Sequence, residues 1–366
     1  MTAIHQFVPA FLPRDATGDH TLALRDTLRA AGWASEIYVE SAHDDLWPEA
    51  IYFERYPERE GSDDVLLYQL STASPVADFL MDRDQTLVLD YHNITPPSFY
   101  EGWEDHTADK VALGRVQAAA LAPRASLGIA DSAFNAAELR RFGCPTTAVV
   151  PIIVKVDDRP PDVDESELVR LRSTHGRATV LLFVGRLSPN KDQHRLVEAL
   201  WLFRRWYDPD ARLHLVGPPM TASYADAVFS LADELGLQGA VCHAEGLSDA
   251  ELAAWYADAD VFVCLSEHEG FCIPLLEAMR SGLPIVAYAA GAVPETLGDA
   301  GIVIDSKRPS VVAATVDRVH RDARLADQLV DAGHRRLREF APAATRARFV
   351  DVLRPLVEGR GLRAGA

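Results

Sequence analysis

Glu269 and Glu277 stand eight positions apart in Ser266-Glu267-His268-Glu269-Gly270-Phe271-Cys272-Ile273-Pro274-Leu275-Leu276-Glu277. The apolar run Val261–Leu265 just upstream reads as a buried strand. Pro274 suits the first turn of a helix, where its missing N–H costs nothing. Strand, tight turn and helix in this order place backbone N–H groups and a helix N-terminus at the carboxyl edge of a parallel sheet. Open α/β sheets take phosphorylated ligands there. Glu269 falls in the turn and Glu277 about one turn inside the helix. One carboxylate can accept hydroxyls from one end of a ligand and the second from the other end. Two polyol groups flanking a diphosphate describe a nucleotide sugar.

A second constellation supplies positive charge. Val184-Gly185-Arg186-Leu187-Ser188-Pro189-Asn190-Lys191 follows a strand over Thr179–Val184, so Arg186 and Lys191 leave the strand end on one loop. Such a pair can straddle a diphosphate, Arg through its bidentate fork and Lys as a mobile point charge. The loop is not a P-loop, because it lacks the second glycine before the lysine. Gly291-Ala292-Val293-Pro294-Glu295 follows a strand over Ile285–Tyr288 and opens another helix, and His92-Asn93 follows a strand ending at Tyr91. Gly18, after the first strand and before the first helix, allows close backbone approach to a ligand or simply makes the turn. Asp19 is a candidate N-cap for that helix. Asp258-Ala259-Asp260 ends a helix and precedes a strand, which suits a surface or capping role. Gly359 and Gly361 follow no strand and are not a dinucleotide fingerprint. The twelve histidines show no metal-ligand spacing.

The segment from Glu269 to Glu277 resembles the E-x7-E signature of retaining glycosyltransferases of the GT-B fold, family 4. The resemblance runs from Phe183-Val184-Gly185-Arg186 to about Asp305 and is fainter in the N-terminal half. It implies an α/β fold of two doubly wound Rossmann-like domains facing a central cleft. Residues 1–152 would form the acceptor side and 153–340 the donor side, with 341–366 a helix crossing back. It also implies that Arg186 and Lys191 hold the donor diphosphate and stabilise charge on the leaving group. Glu269 would then face the transferred sugar, and Glu277 the ribose. The backbone of Gly185, Gly270, Phe271 and Cys272 would line the donor, with Gly291 beside the nucleotide and His92 touching the sugar. The family usually has glycine where Cys272 stands, so this side chain narrows the donor pocket and offers the thiol most open to alkylation. Many relatives carry a glycine pair where this chain has Gly18 alone. The implied reaction moves a hexose-type sugar from a UDP- or GDP-sugar to an acceptor hydroxyl of a saccharide or glycoconjugate, with retention and no metal or other cofactor. A nucleotide-sugar epimerase on the same fold and a non-catalytic nucleotide-sugar-binding subunit are the alternatives.

These groups need a scaffold, and the chain can supply one. Its 366 residues are 48% hydrophobic and 25% charged, enough for two globular domains. Apolar strands alternate with amphipathic helices along the whole chain, which implies parallel sheets covered by helices. Strands are expected at 4–8, 36–39, 65–69, 86–91, 127–130 and 147–152. They resume at 179–184, 213–216, 241–244, 261–265, 285–288 and 302–304. Helices are expected at 20–31, 76–81, 110–121 and 132–141 and from about 309 to 357, with a linker over 151–161 and a frayed tail after 358. Net charge is −18, and residues 1–150 carry −12 of it. That balance argues against nucleic acid and against docking on anionic lipid. No apolar run approaches the ~20 residues a membrane helix needs. The start Met1–Gln6 lacks the pattern of a secretion signal. Four cysteines without Cys-x-x-Cys spacing read as free thiols, so a cytoplasmic setting is expected.

Overall fold

Parallel pairing throughout defines the architecture. The structure is a computed structural model that describes residues 3–13, 15–154 and 161–358. The chain divides into two units, one of Met1–Ser98, His106–Lys155 and Phe340–Ala366, the other of Phe99–Asp105 and Val156–Glu339. Most of the expected linker, residues 155–160, and the expected tail, residues 359–366, lie outside the described residues.

The first unit runs β1 (Ile4–Phe11), α1 (Ala16–Ala30), β2 (Ile37–Ala42), β3 (Ile51–Tyr52), β4 (Val65–Leu70), α2 (Pro75–Met81), β5 (Thr86–Tyr91), α3 (Asp105–Leu121), β6 (Leu127–Ala130), α4 (Ala133–Arg141) and β7 (Thr147–Val149). Its seven strands lie in the order β3-β2-β1-β4-β5-β6-β7, and every neighbouring pair is parallel. The short edge strand β3 was not visible in the sequence, because two residues between 3-10 turns carry no periodicity. Helix α1 starts four residues earlier than expected. Asp15 caps it by accepting from the backbone N–H groups of Thr17 and Gly18.

The second unit runs α5 (Glu165–His175), β8 (Val180–Val184), α6 (Gln193–Trp206), β9 (Arg212–Val216), α7 (Ala222–Glu234), β10 (Val241–Ala244), α8 (Asp249–Asp258), β11 (Val261–Cys264), α9 (Ile273–Arg280), β12 (Ile285–Tyr288), α10 (Val293–Leu297), β13 (Ile302–Ile304), α11 (Pro309–Arg321) and α12 (Ala323–Leu337). Its strand order is β10-β9-β8-β11-β12-β13, again all parallel. Strands β8 and β11 are almost wholly buried apolar residues, as strands covered on both faces must be.

The last helix, α13 (Pro342–Val357), belongs to the first unit. Phe349 and Leu353 are fully buried there against Ile4, Leu24, Leu28 and Val65. Each such side chain is worth roughly 1.5–3 kcal/mol of burial. None of the helices among the described residues is long and apolar enough to cross a membrane.

Candidate active site

Strand order reverses between β8 and β11, which pair directly through Val261 with Leu181 and Phe262 with Leu182. Chain leaving β8 continues outward to β9, and chain leaving β11 continues the other way to β12. The loops that follow β8 and β11 therefore lie side by side at the carboxyl edge of the switch point, the usual ligand position in open α/β sheets. The first loop carries Gly185, Arg186 and Lys191, and the second carries Glu269, Gly270, Phe271 and Cys272.

The two loops are tied together. Glu267 N donates to Asn190 O at 2.8 Å, and Asn190 Nδ2 donates to His268 O at 3.4 Å. Asn190 Oδ1 in turn accepts from Ser188 Oγ at 2.7 Å and from Tyr100 Oη at 3.4 Å. Lys307, just after β13, bridges the carboxylates of Asp192 and Glu267. Lys191 Nζ reaches Glu269 Oε1 at 2.6 Å, and the Glu269 side chain is only 9% exposed. Burial alone would lower the Lys191 ammonium's pKa, but the Glu269 carboxylate outweighs it and holds it above the usual lysine value. Arg186 is exposed, and its guanidinium makes no hydrogen bond or ion pair with the described residues.

Glu277 lies on α9 and is partly buried. Its Oε2 accepts from Tyr256 Oη at 2.8 Å. Burial lifts its pKa above the usual glutamate value, opposed by that hydrogen bond. Cys272 occupies the N-cap of α9 in the left-handed conformation, φ 72°, with no side-chain cap, so the start of the helix is left to other partners. Gly291, φ 54°, brings the loop after β12 onto Glu269. Ala292 N donates to Glu269 O at 2.9 Å, and a Cβ at position 291 would overlap that carbonyl oxygen. Thr296 Oγ1 donates to Phe271 O at 2.6 Å and fixes the other end of the turn.

Backbone strain falls at these places. The non-glycine residues with positive φ among the described residues are Asn93, Asp192 and Cys272. They directly follow His92, directly follow Lys191, and cap the helix that bears Glu277. Left-handed backbone costs a non-glycine residue about 1–3 kcal/mol and persists where surrounding structure enforces it, often at functional sites.

In the first unit His92 is held on both ring nitrogens. Nδ1 faces Asp131 Oδ2 at 3.1 Å and Nε2 faces Gln69 Oε1 at 2.5 Å. The polarity of this chain is fixed from its far end. Thr21 O accepts from Gln6 Nε2, so Gln6 Oε1 accepts from Gln69 Nε2, which leaves Gln69 Oε1 for His92. Both ring nitrogens therefore meet acceptors and both carry protons. Burial would lower this imidazole's pKa, but the carboxylates of Asp131 and Asp90 overcome it and raise it to about 9.

Four expectations need correction. Gly18 is not in a loop: it sits in the first turn of α1, its N–H donates to Asp15, and a Cβ there would overlap Leu12 O, so its smallness serves packing. Asp19 is not the cap; Asp15 is. Cys272 is not the open thiol. It is buried, and the neighbouring Cys264 thiol together with burial raises its pKa well above the ordinary value, whereas Cys242 is partly exposed. The absence of metal-ligand spacing was also misleading, because ligand atoms of His20, Asp90 and His92, and of Cys264, Glu269 and Cys272, each lie within 4.8 Å of one another. The sheet gathers His20, Asp90 and His92 from distant elements, whereas Cys264, Glu269 and Cys272 lie along one strand, turn and helix start. In the first group His20 Nδ1 accepts from Ile153 N, so Nε2 carries the proton it shares with Asp90, and no ring lone pair of either histidine is left for a metal. Asp258 is buried against His175 at 3.0 Å, and Asp260 accepts from Val180 N at 2.8 Å, so that pair holds structure together.

Tyr256, Lys307, Asn190 and Thr296 escaped the sequence reading. Tyr256 and Thr296 hold the site residues Glu277 and Phe271, while Asn190 and Lys307 tie the loops that carry Lys191 and Glu269, and only a Pro-Asn-Lys turn and a lone lysine near β13 hinted at them.

The comparisons with known proteins bear on this geometry. Residues 170–336 match the family described as glycosyl transferases group 1. Over 203 residues the chain is 34% identical to a GDP-mannose-dependent alpha-(1-6)-phosphatidylinositol monomannoside mannosyltransferase of Mycolicibacterium smegmatis, covering 52% of each chain. Over 183 residues it is 33% identical to a D-inositol 3-phosphate glycosyltransferase of Thermomonospora curvata, covering 48% of this chain and 42% of that one. The chain thus spans about half the length of the curated relatives it matches. Among solved structures, the HepE protein of Anabaena in complex with UDP-glucose superposes with a TM-score of 0.76 at 18% identity, covering 96% of this chain and 99% of that one. Sucrose-phosphate synthase from Thermosynechococcus elongatus gives 0.75 at 18% identity, covering 98% and 100%. The chain has the GT-B fold, and its residues 170–336 match the model of the group 1 family of glycosyl transferases.

Proposed function

We propose that this protein is a retaining glycosyltransferase that moves a hexose from a UDP- or GDP-sugar to an acceptor hydroxyl without needing a metal ion. The observation that carries the reading is the 2.6 Å pairing of Lys191 with Glu269 at the β8–β11 switch point, with Arg186 on the same loop as Lys191 and Glu277 on the helix that follows Glu269. Two cations suit a diphosphate, and two carboxylates suit the hydroxyls at its two ends. Similarity to a GDP-mannose-dependent enzyme and to a protein solved with UDP-glucose supports a nucleotide-sugar donor.

In this reading Arg186 and Lys191 bind the diphosphate and stabilise the charge that grows as the bond from C1 to the phosphate oxygen breaks. The acceptor oxygen bonds to C1 on the same face, and its proton passes to the departing phosphate oxygen. Glu269 orients the sugar, and Glu277, aimed by Tyr256, takes the ribose hydroxyls. Catalysis then rests on positioning and electrostatics.

Incubation of the protein with UDP- and GDP-hexoses, with and without a panel of saccharide and polyol acceptors, tests this. The expected result is acceptor-stimulated release of nucleoside diphosphate and a product of unchanged anomeric configuration by NMR. Activity should be lost in Glu269→Ala. Sugar epimerised without any acceptor would establish the epimerase alternative. Donor binding with neither transfer nor hydrolysis would establish a binding subunit.

A further inference from the structure

Cys264 ends β11, Cys272 caps α9, and Glu269 lies on the turn between them. A thiol from each cysteine and a carboxylate oxygen of Glu269 all lie within 4.8 Å of one another. Zinc bonds sulfur at about 2.3 Å and carboxylate oxygen at about 2.0–2.2 Å, so ligand atoms around a tetrahedral ion sit roughly 3.4–3.8 Å apart. The three groups need close in only slightly to meet that geometry. Cys264 Sγ donates to Ser266 Oγ at 3.4 Å.

We propose that Cys264, Cys272 and Glu269 form a binding site for one thiophilic divalent cation of the zinc and cadmium class. Two thiolates with one carboxylate select such ions over magnesium or calcium, which prefer oxygen alone. Three protein ligands leave a fourth position for water. Binding replaces the two thiol protons, which pass to solvent, so the site gains two negative charges as the ion brings two positive ones. The ion also takes over Glu269 from Lys191, whose ammonium now lies 2.6 Å from that carboxylate. Cys272 and Glu269 are 8% and 7% exposed, so the ion enters on their side, while Cys264 at 1% closes the floor. One consequence rests on the glycosyltransferase reading: a bound ion removes Glu269 from the sugar and inhibits transfer.

Titration of the reduced, chelator-treated protein with Cd²⁺, followed by sulfur-to-cadmium charge-transfer absorbance, tests the site directly. The expected result is one ion per chain. The band should disappear in both Cys264→Ser and Cys272→Ser, persist in Cys242→Ser, and require more than about tenfold higher Cd²⁺ in Glu269→Gln. Cys264→Ala and Cys272→Ala are run in parallel, and loss of the band is scored on whichever variant melts as the wild type does. A wild-type protein without the band, or a band that survives loss of Cys264 or Cys272, overturns the proposal. Because this readout uses no sugar nucleotide, a protein that binds Cd²⁺ through these residues yet transfers no sugar would refute the functional reading alone.

Discussion

Lys191 and Glu269, 78 residues apart in sequence, form a 2.6 Å ion pair across two loops that leave neighbouring strands. Each is the other's counter-charge in a largely buried setting. Removing one partner leaves an uncompensated charge, which costs several kcal/mol when the pair is fully buried. Lys191 retains 21% side-chain exposure, so the cost is moderated. Lys191→Met is expected to destabilise the protein by about 2 kcal/mol in urea unfolding, and clearly less in a Glu269→Gln background. Additive losses would show that the pair is not coupled.

Gly291 is expected to tolerate no side chain. Its φ is 54°, and a Cβ would overlap the carbonyl oxygen of Glu269. Gly291→Ala must push the Glu269 turn away, at a cost of about 1–3 kcal/mol. Transfer activity should fall by more than tenfold, since small displacements of positioning groups are expensive. Wild-type melting and turnover would contradict this account of the loop.

Tyr256 should act through Glu277. Its hydroxyl donates to the Glu277 carboxylate at 2.8 Å, and loss of such a bond is worth about 1 kcal/mol. Tyr256→Phe is therefore predicted to raise the KM for the sugar nucleotide about fivefold and leave kcat nearly unchanged. An equal loss in kcat would place Glu277 at the reacting centre instead.

The His92 network predicts a pH dependence of stability. Its imidazole titrates near 9 in the folded protein against 6.5 for the unfolded chain. A raised folded pKa means the folded state holds the proton more tightly. The stabilisation is therefore complete below pH 6.5 and fades as pH rises through about 9. Wild-type stability should decline across that window, and Asp131→Asn, which removes the 3.1 Å carboxylate partner, should flatten the decline. An unchanged slope would mean that Asp131 does not hold the proton on His92.

The parts of this structure that follow local rules could be read from the chain. Strands β5, β6, β10, β12 and β13 have the expected bounds, because parallel strands read as short, mainly apolar runs between turn residues, at the sheet edge (β10, β13) as well as in its buried interior. The loop positions of Arg186, Lys191 and Glu269 followed from β8 and β11, each found within one residue of its expected bounds. The start of α1, which depends on a cap, went wrong, because Asp15 accepts from Thr17 N and Gly18 N where Asp19 was expected to cap. Groups gathered from separate strands, such as Lys307 with Asp192 and Glu267, were invisible, since sequence spacing holds no record of strand order. The shielding of Cys272 was likewise hidden, because burial is a property of the packed loops.

The central claim is that the β8–β11 loops bind a nucleoside diphosphate through Arg186 and Lys191. Thermal unfolding in chelator with UDP, GDP, ADP, dTDP and NAD, on wild type and Arg186→Ala, tests it most directly. The account predicts stabilisation of the wild type by UDP or GDP and its loss in the variant. No response to any diphosphate, a response to NAD alone, or an equal response in Arg186→Ala would contradict it.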